Sequence, residues 1–130
     1  MKSEAIVSPH PWRWLLAAAT LLAVTMACLP RPPALPGDPP DIILHATAFM
    51  VLTLLARAAY PYTRAWKILS GLGALGAAIE MLQAIPMLGR DASLLDWLVD
   101  LLAIAAALAL LRCLTLWMSR SSKGASEGAG

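Results

Sequence analysis

The sequence predicts an all-α, polytopic membrane protein: a four-transmembrane-helix bundle with both termini cytoplasmic. Three observations carry this expectation. Of the 130 residues, 59% are hydrophobic and 14% charged, and the mean hydropathy is +0.69. A soluble domain is about half apolar and about a quarter charged. Four apolar segments are each long enough to cross the ~30 Å hydrocarbon core, which takes ~20 helical residues. Finally, the basic residues gather on one side of the topology that these segments define.

The first span is expected at about Trp12–Leu29, after a cytoplasmic N-terminus of residues 1–11. The same stretch, "WRWLLAAATLLAVTMAC", also reads as a signal peptide or lipoprotein signal, since a basic flank precedes an apolar core. Met26 fits poorly beside the small residue that cleavage expects, and cleavage would leave three spans and the same outer face. "PRPPALPGDPPD", Pro30–Asp41, cannot be helical, because proline lacks the amide donor and clashes in a helix interior. Asp41 after Pro40 is the expected N-cap of the second span, about Ile42–Tyr60.

"PYTR", Pro61–Arg64, makes a tight turn into the third span, about Trp66–Pro86. "MLGRDAS", Met87–Ser93, leads to the fourth, about Leu94–Met118. Its Trp97 and Trp117 are 20 positions apart. On a helix that is ~30 Å, the spacing of the two aromatic belts of a bilayer. The four spans make one transmembrane domain over residues 12–118, and the Ser/Gly-rich residues 119–130 are expected to be a disordered cytoplasmic tail.

Orientation follows from charge. Lys2, Arg13, Arg57, Arg64, Lys67, Arg112, Arg120 and Lys123 lie on one side, and only Arg31 and Arg90 on the other. Basic residues favour the cytoplasmic side. Both termini and the second connection are therefore expected in the cytoplasm, with the lipid bilayer as the chain's first partner. A net charge of +2, divided across the membrane, excludes a nucleic-acid partner. Cys28 and Cys113 fall at opposite faces, ~30 Å apart, too far to pair within one chain.

The acids then sort. Asp38, Asp41, Glu80, Asp91, Asp96 and Asp100 fall in the outer half, and only Glu4 and Glu127 in the inner. His45, Gln83 and Arg90 join the outer set, so three helix ends bring polar groups to one level. In the third span Gly73, Gly76, Ala77, Glu80, Gln83 and Ala84 share one helical face. Small residues let helices approach closely in lipid. "GLGALG", Gly71–Gly76, matches a dinucleotide-binding spacing, but it lies inside a helix rather than between a strand and a helix, so it reads as packing.

Ionisable groups within a span face the bundle and mark functional sites by default. The bland reading is that these groups bond to one another and set helix register. Against it, interhelical polar contacts in membranes contribute only about 0.6 kcal/mol on average. The binding candidates are Asp41, His45, Glu80, Gln83, Arg90, Asp96 and Asp100, with His45 and Arg90 the expected partners of Glu80. Glu80 and His45 are the candidate acid and base if the chain is an enzyme, a question the sequence leaves open. No nucleophile is evident, and Ser93 and Thr47 are candidates that nothing in the sequence supports. No cofactor or metal is expected, since there is no His-x-x-x-His or cysteine pair, although His45, Glu80, Asp96 and Asp100 offer nitrogen and oxygen ligands. A proton or ion path is disfavoured, because the inner halves of the spans hold little but Ser70 and Arg57 as polar steps.

"DIILHATAFMVLTLL" and "GAAIEMLQAIPMLGRDASLLDWLVD" together resemble the VanZ-like family of small bacterial membrane proteins. That pattern sets an Asp and a His at the outer start of one helix, then Glu-x-x-Gln, a Gly-Arg turn, and an Asp opening the last helix. Here these are Asp41, His45, Glu80, Gln83, Gly89, Arg90 and Asp96, and the resemblance runs over about Asp41–Leu111. Asp100 stands where the family usually has Asn, and alanines replace small glycines farther along the last helix. The resemblance implies an envelope or cell-wall role, such as resistance to the glycopeptide teicoplanin. It points to a lipid-linked cell-wall component, an anionic head group or a glycopeptide as partner, and supplies no reaction. The alternatives are a membrane-embedded enzyme acting on a lipid-linked envelope substrate and a structural subunit of a membrane complex.

Overall fold

The computed structural model describes residues 9–30, 36–37 and 39–127, and it is all-helical over them. Four helices, α1 (Pro9–Cys28), α2 (Asp41–Ala59), α3 (Ala65–Gln83) and α4 (Leu94–Glu127), are long and apolar enough to cross a membrane. Asp38 and Arg31 lie outside the described residues, as do Lys2 and Glu4.

The four expected spans recur with shifted ends. Asp41 is the first residue of α2, not its cap; Pro40 stands at the cap position without a side-chain bond, and its carbonyl accepts from the amides of Ile43 and Leu44. Helix α3 stops at Gln83 rather than near Pro86, because a residue preceding proline is pushed out of the helical region. Pro86 instead opens a short 3₁₀ turn, Pro86–Leu88, closed by Gly89 in the left-handed conformation at φ 59°. The largest difference is at the other terminus. Residues 119–127, expected to be disordered, continue α4 as helix. Once a helix is nucleated by its apolar part, each further residue adds a backbone hydrogen bond without a new nucleation cost. At 34 residues α4 is about 51 Å long, well beyond the hydrocarbon core.

The bundle is centred on α2 and α4, which make the most extensive contact, with α1 packed mainly on α2 and α3 on α4. This pairing joins helices two and four rather than sequence neighbours α2 and α3. Phe49 and Leu52 of α2, Ile79 of α3, and Ala103 and Ile104 of α4 form the core. On α2 the buried positions Phe49, Leu52, Thr53, Ala56 and Ala59 recur at three- and four-residue steps, one helical face. Thr53 is satisfied there by donating to the Phe49 carbonyl at 2.6 Å.

Glycine lets α3 and α4 close together. A Cβ on Gly73 would lie 2.7 Å from Leu101 Cδ2, and one on Gly76 would lie 2.8 Å from Asp100 Oδ2. Gly71 meets nothing within 4 Å, so the packing role belongs to two of the three glycines. Ala84, assigned to the same face, is exposed beyond the helix end.

At the end of the bundle holding the α2–α3 turn, Arg57 Nη1 donates to the Thr63 carbonyl at 2.7 Å. The Arg13 guanidinium lies 5.0 Å from the Tyr60 ring centre. Basic and aromatic residues therefore meet at that end, as in an interfacial belt. The described acids other than Glu127 gather at the opposite end.

Candidate functional site

The opposite end is built by the start of α2, the end of α3, the turn after it, and the start of α4. The turn decides the geometry. Ser93 caps α4 by accepting from the Asp96 amide at 3.2 Å through its hydroxyl, which serves an amide the first turn leaves unpaired. The Ser93 amide in turn donates to Glu80 Oε2 at 2.5 Å. One serine thus ties the end of α3 to the beginning of α4. It is an anchoring residue, with its hydroxyl already engaged, rather than a ready nucleophile. Thr47, the other nucleophile considered, lies on the exposed side of α2.

Across the bundle, His45 Nδ1 donates to Asp100 Oδ1 at 3.1 Å. Asp100 is fully buried and the His45 side chain is 10% exposed. The second Asp100 oxygen, Oδ2, packs against Gly76, 2.8 Å from where a Cβ would lie, and has no hydrogen-bond partner among the described residues. Glu80 is 9% exposed, and its Oε1 is likewise buried without a partner. One potential ligand atom from each of His45, Glu80 and Asp96 lies within 4.8 Å of the others. Four of the seven sequence-derived candidates, His45, Glu80, Asp96 and Asp100, therefore share one cluster. Its charges are unbalanced: among the described residues no lysine or arginine forms an ion pair with Glu80, Asp96 or Asp100.

Comparison with known protein families, with curated proteins and with solved structures finds no match.

The other three candidates have different places. Arg90 was an expected partner of Glu80; it pairs instead with Asp41, Nη2 to Oδ2 at 3.5 Å. Gly89, just before it, is in the left-handed conformation at φ 59°, and the Ser93 amide returns the chain to Glu80. Asp41 is 61% exposed, so this is a surface pair. Gln83 is buried, but its Nε2 donates to the Ala27 carbonyl at 3.0 Å, tying α3 to the end of α1. That carbonyl is among the last four of α1, which have no partner within the helix.

Glu80 lies in the last turn of α3, and protein packing accounts for its burial. Trp97, expected from its spacing to Trp117 to anchor at an interface, has a second role. It is half-buried against α3, and its Nε1 donates to the Gly73 carbonyl at 3.0 Å. Its position one residue after Asp96, facing a glycine-rich helix, was the available signal.

Proposed function

We propose that this chain is a multi-pass protein of the bacterial cytoplasmic membrane whose acidic end faces outward and holds a ligand from the cell envelope. The observation that carries the reading is the cluster of His45, Glu80 and Asp100, largely buried, with the half-exposed Asp96, at one level of four membrane-length helices. Burying that many ionisable groups for packing alone returns little, since each interhelical contact contributes about 0.6 kcal/mol. The distribution of basic residues supports the orientation, and the ordered Asp41, His45, Glu80, Gln83, Arg90 and Asp96 motifs, which resemble the VanZ-like family, support an envelope role such as glycopeptide resistance.

On this reading Arg90 and Asp41 form the polar rim. Arg90 is the group suited to an anionic head group, phosphate or glycopeptide carboxylate, because a guanidinium matches such oxyanions.

The test is teicoplanin susceptibility of a sensitive host that carries either the wild type or Glu80→Gln, normalised to protein in the membrane. Protection by the wild type and its loss in the variant support the reading. Equal protection by both would reduce the cluster to register-setting packing, and no protection by either would remove glycopeptide resistance from it. A C-terminal green fluorescent protein fusion reports the orientation, with fluorescence expected.

A second reading, a membrane-embedded enzyme acting on a lipid-linked substrate, rests on the His45–Asp100 pair. A carboxylate on one ring nitrogen orients the imidazole and leaves the other free for proton transfer. With Ser93 engaged as a cap, proton transfer would act on water or substrate rather than on a serine nucleophile.

A further inference from the structure

We propose that His45, Glu80 and Asp96 form a binding site for a divalent transition-metal ion such as zinc, with Asp100 positioning the histidine. The inference goes beyond the envelope reading and does not depend on it.

Each of the two buried ligands has one atom held by the protein and one left over. His45 gives Nδ1–H to Asp100 Oδ1 at 3.1 Å, which fixes the tautomer whose Nε2 lone pair is available. A histidine that binds a metal usually donates its other nitrogen to a carboxylate in this way. Glu80 has Oε2 fixed by the Ser93 amide, while Oε1 is buried and unpartnered in a side chain that is 9% exposed. A buried carboxylate oxygen with no donor carries an uncompensated cost that a cation removes. Asp96 completes the set from the first turn of α4, whose position is locked by the Ser93 cap.

The spacing is close to what an ion requires. Ligand atoms about 2.1 Å from a metal in a tetrahedral site stand about 3.4 Å apart. One potential ligand atom from each of the three residues lies within 4.8 Å of the others, so side-chain adjustments of up to about 1.4 Å close the site. Charge points the same way. Three carboxylates, Glu80, Asp96 and Asp100, share the cluster with one histidine, and Arg90 is engaged by Asp41. A mixed nitrogen and carboxylate set favours a transition ion such as zinc over calcium or magnesium, which prefer all-oxygen shells. Three protein ligands also leave a coordination position open, as in sites that present an ion to a ligand.

The full chain, purified in detergent without a histidine tag and stripped with chelator, is titrated with zinc chloride and, separately, manganese chloride. Bound metal is measured by elemental analysis after gel filtration, and thermal stability with and without metal is followed in parallel. The expected result is about one ion per chain and a metal-dependent rise in melting temperature. Glu80→Gln and Asp96→Asn should each weaken binding at least about tenfold, and Asp100→Asn about 10- to 100-fold through loss of the histidine's orientation. Asp91→Asn, an exposed carboxylate of the adjacent loop, should leave it unchanged. If Glu80→Gln does not give a monodisperse protein, the half-exposed Asp96→Asn carries the comparison. Wild type that retains no zinc or manganese beyond a detergent blank overturns the proposal, as does binding that Asp96→Asn leaves intact. Loss of teicoplanin protection in cells without any metal binding in vitro would overturn the metal site while sparing the envelope reading.

Discussion

Adding one methyl group at Gly76 tests whether the buried carboxylate is held by close helix packing. The new Cβ would lie 2.8 Å from Asp100 Oδ2, 3.3 Å from Trp97 Cδ1 and 3.4 Å from Phe49 Cζ. Ordinary contact begins near 3.4 Å, so Asp100 or the helix must move by about 0.6 Å, the difference between 3.4 and 2.8 Å. Asp100 cannot swing freely, since it is fully buried and bonded to His45. Overpacking of this kind costs about 1–3 kcal/mol. Alanine gains up to about 1 kcal/mol over glycine from helix propensity in water, and less where the unfolded state in a membrane is already helical. Gly76→Ala should therefore be net destabilising by about 1–2 kcal/mol. Gly71→Ala meets nothing within 4 Å and supplies the propensity effect alone, so it should be neutral or slightly stabilising. The assay is reversible unfolding in mixed micelles of mild detergent and dodecyl sulfate, followed by helical circular dichroism. A Gly76→Ala protein as stable as Gly71→Ala would refute the argument that α3 and α4 are in contact through Asp100 at this position.

Three further outcomes are expected. Ser93→Ala removes the cap on α4 and should cost about 0.5–2 kcal/mol in the same unfolding assay, with Ser93→Thr restoring most of it; equal stability of all three proteins would show that the hydroxyl does not cap. Gln83→Leu deletes the bond to the Ala27 carbonyl and should lower stability by about 0.6 kcal/mol, at most about 1.7, while increasing protease access to the α1–α2 connection; unchanged digestion would argue against a tie between α1 and α3. Arg90→Ala breaks only a rim pair and should change stability by no more than about 1 kcal/mol. It should still weaken binding to vesicles rich in anionic lipid, and unchanged vesicle binding would remove Arg90 from the proposed ligand site.

Most of the architecture was legible without coordinates, because a bilayer imposes a simple rule. A backbone crossing hydrocarbon must satisfy its own hydrogen bonds, so apolar stretches of the right length become helices. Composition and the length of four apolar runs therefore suffice for four spans, as α1 to α4 bear out. The polar constellation was legible for a related reason. Once four helices alternate in direction, the beginnings of α2 and α4 and the end of α3 stand at one level, so His45, Glu80, Asp96 and Asp100 converge.

The sequence could not pair those groups. Interhelical bonds depend on which helix faces meet, and the packing of α2 against α4 brought His45 to Asp100 and left Glu80 to the Ser93 amide. Arg90, which follows the positive-φ Gly89 in the turn after α3, paired with Asp41 rather than Glu80. Gln83 left the cluster for an unsatisfied carbonyl at the end of α1. The sequence by itself determined how many times the chain can cross and which residues come to one end, since both follow from the solvation of the backbone and of charge. Only the tertiary structure decided the partners within that end, because hydrogen bonds reach about 3 Å and the few ångströms that choose between them are set by glycine contacts and turn geometry.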